Sequence, residues 1–83
     1  MEKMTNIIEQ LMPIFRNVFD DEYLVINNLT TAQDVQSWDS LAHIRLIMAI
    51  EKYFDLRFSA AEIFEFENVG QMAVLILSKQ ANV

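Results

Sequence analysis

Asp39, Ser40 and Leu41 stand where turn-forming residues give way to a helical apolar pattern. An acid and a hydroxyl at a helix mouth can do two things. Asp39 is a good N-cap, its carboxylate accepting from the first turn of amides. The Ser40 hydroxyl would then lie beside free backbone N–H groups at the positive end of the macrodipole, an arrangement that favours a phosphate. The plainer reading is that Ser40 only opens a helix.

The other chemistry-bearing residues converge less. His43 is the single histidine. It falls on an apolar helix face with no nucleophile partner, which reads as a buried, satisfied side chain or a lining residue rather than a catalytic base. Asp20, Asp21 and Glu22 are adjacent, and three neighbouring acids share one metal geometry poorly, so they read as a solvated turn. There is no cysteine, which excludes a disulfide frame and a thiolate metal site. No metal site and no enzymatic activity of the chain's own are expected. A net charge of −6 disfavours nucleic acid and anionic membrane surfaces. Met1 is not followed by an apolar run long enough for a signal peptide or a membrane span, so a cytoplasmic location is expected.

The elements that must position Asp39 and Ser40 follow from periodicity. With 83 residues, a single domain over 1–83 is the natural unit, and 53% hydrophobic residues supply a modest core. One glycine and one proline are few for an all-β fold. A first helix is predicted from about Thr5 to Phe19, with Ile7, Ile8, Leu11, Ile14, Phe15 and Val18 on one face. Pro13 inside it predicts a kink or irregularity. A long connection follows to Asp39, with Leu24, Ile26, Leu29 and Val35 pinning it and Trp38 as an anchor or a contact for whatever Ser40 holds.

The second helix is predicted from Asp39 and Ser40 to about Asp55. A short third helix opens on the capping box of Ser59 and Glu62, with Phe58 and Ile63 at staple spacing, and ends near Phe66. Phe58, Phe64 and Phe66 read as core. A fourth helix runs from Asn68 to about Lys79, burying Val69, Met72, Ala73 and Ile76. The fold class is all-α: a small four-helix bundle of three main helices and one short third.

The second helix carries two apolar arcs. At roughly 100° per residue, Leu46, Ile47, Ile50 and Phe54, with His43, share a core face. Leu41, Ile44 and Met48 form a separate stripe, flanked by Arg45, Glu51, Lys52 and Asp55. Either the short third helix covers that stripe or it is open to a partner.

Asp39-Ser40-Leu41 resembles the attachment motif of acyl and peptidyl carrier proteins, and the context of Trp38 before it and Ile44, Leu46, Ile47, Met48, Ala49, Ile50, Glu51 and Phe54 after it strengthens the likeness. The long loop, short third helix and last helix are similar in order and length, so the resemblance covers nearly the whole chain. It implies a covalent 4'-phosphopantetheine arm, taken from coenzyme A and placed on Ser40 by a phosphopantetheinyl transferase. The arm brings the thiol that a cysteine-free chain lacks. It implies Asp39 and Leu41 beside the attachment point, and Leu41, Ile44, Arg45, Met48 and Glu51 as a partner face. Implied partners are the transferase, an acyl- or aminoacyl-loading ligase, and downstream acyl-transferring or condensing enzymes, met by a monomer.

Arg45 and Lys52 interrupt the acidic second helix of many fatty-acid carriers. A cation at a docking position repels a basic partner patch. The expectation is therefore a stand-alone carrier for secondary metabolism or cell-surface precursors. A cofactor-free helical interaction module is the alternative.

Overall fold

In the computed structural model, which describes residues 2–81, the first apolar stripe winds into α1 (Glu2–Val18). It begins three residues earlier than the periodicity predicts. Pro13 does not break it. Pro13 and Glu9 are both exposed, so the Glu9 carbonyl that loses the Pro13 N–H can turn to water instead. The helix closes on Asp20 in the left-handed region (φ 51°), with the Asp21 amide bonded back to the Arg16 carbonyl at 3.0 Å.

The remaining elements are α2 (Ser40–Phe54), α3 (Ala60–Ile63) and α4 (Val69–Ala81). No strand occurs among the described residues. Helix α1 packs against both α2 and α4. Leu11, Phe15, Leu46, Ile50, Val69, Met72, Ala73 and Ile76 are wholly buried at the centre. Each large side chain so buried stabilises the fold by about 1.5–3 kcal/mol. The predicted stripes of α1 and α4 are thus the core, and the all-α four-helix architecture holds.

The loop between α1 and α2 is held by backbone as much as by side chains. The Val69 amide donates to the Thr30 carbonyl at 2.9 Å, and the Gly70 amide to the Asn28 carbonyl at 2.8 Å. Loop carbonyls thereby satisfy amides of the first turn of α4 that have no helical partner. A Cβ on Gly70 would stand 2.6 Å from the Asn28 oxygen, so only glycine permits this approach. Ile26 and Val35 are buried as expected, and Leu24 is half-buried. Leu29 is not an anchor: it is 71% exposed. Its amide bonds to Asn27 Oδ1 at 2.8 Å, and this turn sends Thr30 inward in its place. A capping box of Thr31 and Asp34 then frames a 3-10 turn over Ala32–Asp34.

Helix α3 opens on the predicted Ser59–Glu62 capping box but stops at Ile63. The Glu65 amide turns back to the Glu62 carbonyl, ending the helix. Phe64 is left 65% exposed, whereas the sequence pattern placed it in the core. Phe58 is buried and Phe66 half-buried, edge to face at 5.8 Å.

Candidate functional site

Asp39 caps α2 from an extended conformation, its Oδ1 accepting from the Ala42 amide at 2.8 Å. Its carbonyl takes the His43 amide at 2.8 Å. Ser40 is the first helical residue, and it is exposed. Its own amide and that of Leu41 donate to no protein atom among the described residues. Capping belongs to Asp39, so the Ser40 hydroxyl is not needed to hold the helix. A solvent-facing hydroxyl beside two free amides at the positive end of a 15-residue helix suits a phosphate diester on that oxygen.

The turn delivering Ser40 is built on Trp38. Its indole packs edge to face on the buried Phe15 at 5.3 Å and against Phe19 at 5.8 Å. It also lies nearly parallel to the His43 ring, the planes 20° apart and the centroids 5.9 Å apart. The indole N–H donates to His43 Nδ1 at 3.0 Å. An indole nitrogen can only donate, so Nδ1 is the acceptor and the imidazole proton sits on Nε2. That N–H faces the Ile63 carbonyl at the end of α3. His43 is half-buried with both ring nitrogens engaged, which matches the satisfied side chain read from its position and leaves no free base.

The second apolar stripe of α2 is open. Leu41 is 68% exposed, Met48 62% and Ile44 37%, so the short α3 does not cover it. Arg45 and Lys52 are exposed along one edge of the stripe. Glu51, grouped with this face by spacing, also has a structural task. Its Oε2 accepts the Phe58 amide at 2.8 Å and holds the approach to α3. Sequence reasoning missed the Ile63 carbonyl and Phe64, which lies 5.5 Å from the His43 ring. The available signal was the pairing of the only tryptophan with the only histidine, five residues apart and straddling Ser40.

The family model of phosphopantetheine attachment sites matches residues 38–76, the stretch that holds this capped serine, α2, α3 and much of α4. The solved structure of a holo acyl carrier protein from Geobacter metallireducens superposes with a TM-score of 0.84 at 40% sequence identity, covering 90% of this chain and 86% of that one. The chain belongs to the acyl carrier protein family. No curated protein matches it significantly.

Carriers of this family hold 4'-phosphopantetheine covalently, and this carrier's cofactor is that group. The residues at the mouth of α2 fit that group, since an exposed hydroxyl and two amides without protein acceptors suit a phosphate there. When attached, the group supplies a terminal thiol that forms thioesters. Among the described residues no cluster of His, Cys, Asp and Glu could hold a metal ion. Among the described residues no helix is long and apolar enough to cross a membrane.

Proposed function

We propose that Ser40 is the attachment point of the phosphopantetheine arm and that the chain, acting as one carrier unit over residues 1–83, presents acyl or aminoacyl thioesters to partner enzymes. The observation that carries this is the exposed Ser40 hydroxyl at N1 of α2, with Asp39 capping in its stead. In the loading step the Ser40 oxygen bonds to phosphorus of the coenzyme A pyrophosphate. The bond to the departing adenosine bisphosphate breaks, and the serine proton passes to a base on the transferase. Tethering then raises the effective concentration of the carried group at each partner site.

The partner enzymes are a phosphopantetheinyl transferase, a loading ligase and downstream acyl-transferring or condensing enzymes. They meet the stripe of Leu41, Ile44 and Met48. Three of the chain's six Lys and Arg residues, Arg45, Lys52 and Arg57, fall in or just after α2. None makes an ion pair among the described residues, whereas Lys79 pairs with Glu62. Lys52 and Arg57, with Met48, line a groove of about 550 Å³ continuing from the stripe. Glu51 and Asp55 line the same groove, so the edge is mixed in charge rather than uniformly acidic, and it suits a partner whose docking rim is not a purely basic patch. This supports dedicated enzymes of secondary metabolism or cell-surface precursor synthesis over bulk fatty-acid synthesis, and a cytoplasmic location where those enzymes work.

Intact-mass measurement after incubation with coenzyme A and a broad-specificity phosphopantetheinyl transferase tests the attachment. One adduct is expected on the wild-type chain and none on Ser40→Ala. An unmodifiable chain would mean a cofactor-free interaction module. Efficient exchange of malonyl and acyl groups with a fatty-acid ketosynthase and its companion enzymes would overturn the choice of pathway.

A further inference from the structure

The bonds of His43 join three segments that meet beside Ser40. Trp38 belongs to the turn just before the serine, His43 lies one helical turn after it, and Ile63 ends α3. Phe64 packs over the imidazole at 5.5 Å and Phe66 lies 6.3 Å from it. The seam between α2 and α3 is therefore fastened at the end where an arm on Ser40 would hang.

Behind this fastening the space is small. A recess of about 60 Å³ is lined by Ala32, Trp38, His43, Phe66, Glu67 and Asn68. Sites that enclose organic ligands run to ~300–1,000 Å³. Grooves of 340–700 Å³ exist elsewhere on the surface, but residues 39–41 line none of them. Deeper in, Leu46, Ile50, Met72 and Ile76 are fully packed. An alkyl chain entering from Ser40 would have to part α2 from α3. That would strip His43 Nε2 and the Ile63 carbonyl of each other, and polar groups left unpaired out of water are costly.

We propose that His43 is a latch that keeps the bundle shut beside the attachment point, so that the carried group rides outside the protein. The cargo class follows. A group that stays in water is a short or polar acyl or aminoacyl unit, since a long alkyl chain left exposed gains nothing from the carrier and invites aggregation. This inference rests on Ser40 being the tether. His43 acts through Trp38 and α3 and is a positioning residue.

The test uses acetyl-, hexanoyl- and decanoyl-coenzyme A with the broad-specificity transferase to load the full chain, each product checked by intact mass. Melting temperature and the ¹H–¹⁵N resonance of the single indole are then read for each form. In the wild type both are expected to be independent of chain length. His43→Ala is expected to gain a chain-length dependence, the decanoyl form melting at least about 5 °C above the acetyl form as methylenes find the opened core. His43→Gln, which can both accept and donate, should behave as wild type. If His43→Ala does not fold, His43→Phe keeps an aromatic ring in place but cannot bond the Ile63 carbonyl, and its melting series serves instead. A wild-type melting temperature or indole shift that follows chain length overturns the latch. So does chain-length independence in the opened variant. Failure to load any acyl form overturns the Ser40 assignment instead.

Discussion

The indole N–H of Trp38 lies 3.0 Å from Nδ1 of His43, across the turn that brings Ser40 to solvent. Two aromatic side chains five residues apart thus bridge the turn that Asp39 caps. Because each is the only residue of its type, the contact has its own spectroscopic signature. In ¹⁵N spectra of the neutral imidazole, His43 Nδ1 should show the shift of an unprotonated acceptor and Nε2 that of a protonated donor. The indole proton should exchange with water more slowly than a free indole, and His43→Ala should abolish that protection. The reverse tautomer would remove the bond from the structure.

Asp39 and Ser40 separate stability from modification. Asp39→Ala removes the acceptor of the Ala42 amide and should cost ~1 kcal/mol in chemical denaturation. Asp39→Asn, which still caps, should cost much less. Ser40→Ala should leave stability within about 0.5 kcal/mol of wild type while abolishing loading. A larger loss in Ser40→Ala would show that the hydroxyl holds the fold.

Met48, 62% exposed at the far end of the α2 stripe from Ser40, should contribute to docking and not to folding. Met48→Glu is expected to leave circular dichroism and stability unchanged. It should lower the kcat/KM of the loading ligase by about tenfold, the size of a moderate interface contact. Unchanged kinetics would remove the stripe from the partner surface.

Gly70 is expected to tolerate no side chain. Alanine is the better helix former by ~1 kcal/mol, yet a Cβ 2.6 Å from the Asn28 carbonyl must push the loop off α4. Gly70→Ala should therefore destabilise by about 1–3 kcal/mol in urea titration, as overpacked sites do. A neutral or stabilising result would mean that the 28–30 segment moves freely.

Glu62 lies between the Lys79 ammonium, which donates to it at 2.8 Å, and the Ser59 amide. The Lys79 hydrogen bond first, and the Ser59 amide second, hold its carboxyl below the ordinary glutamate value. A lowered folded value means that the stabilisation is complete above the ordinary glutamate range. It is lost as pH falls through the depressed value. Carboxyl ¹³C titration should find Glu62 titrating higher in Lys79→Met than in wild type. Identical curves would show that the ion pair does not form in solution.

Much of the site was legible because it is local. Asp39 caps, and Ser40 opens a helix, through contacts within four residues, and the Ser59–Glu62 box is read the same way. The core stripes of α1, α2 and α4 follow from 3.6-residue periodicity, which any stretch of chain carries without its neighbours. The misreadings have a common cause. Leu29 and Phe64 are apolar and were assigned inward on identity alone. A turn at Asn27 exposes one, and the early end of α3 exposes the other.

From the amino acids alone came the helical class, the capped serine, the missing thiol and the two apolar arcs of α2, since each depends on residue type and short-range spacing. Tertiary packing decided which arc stays bare, why glycine must stand at position 70, and that Trp38 and Ile63 engage the two nitrogens of one imidazole. Those outcomes depend on where separate segments meet in space, and a hydrogen bond between residues 43 and 63 has no trace in the spacing of either.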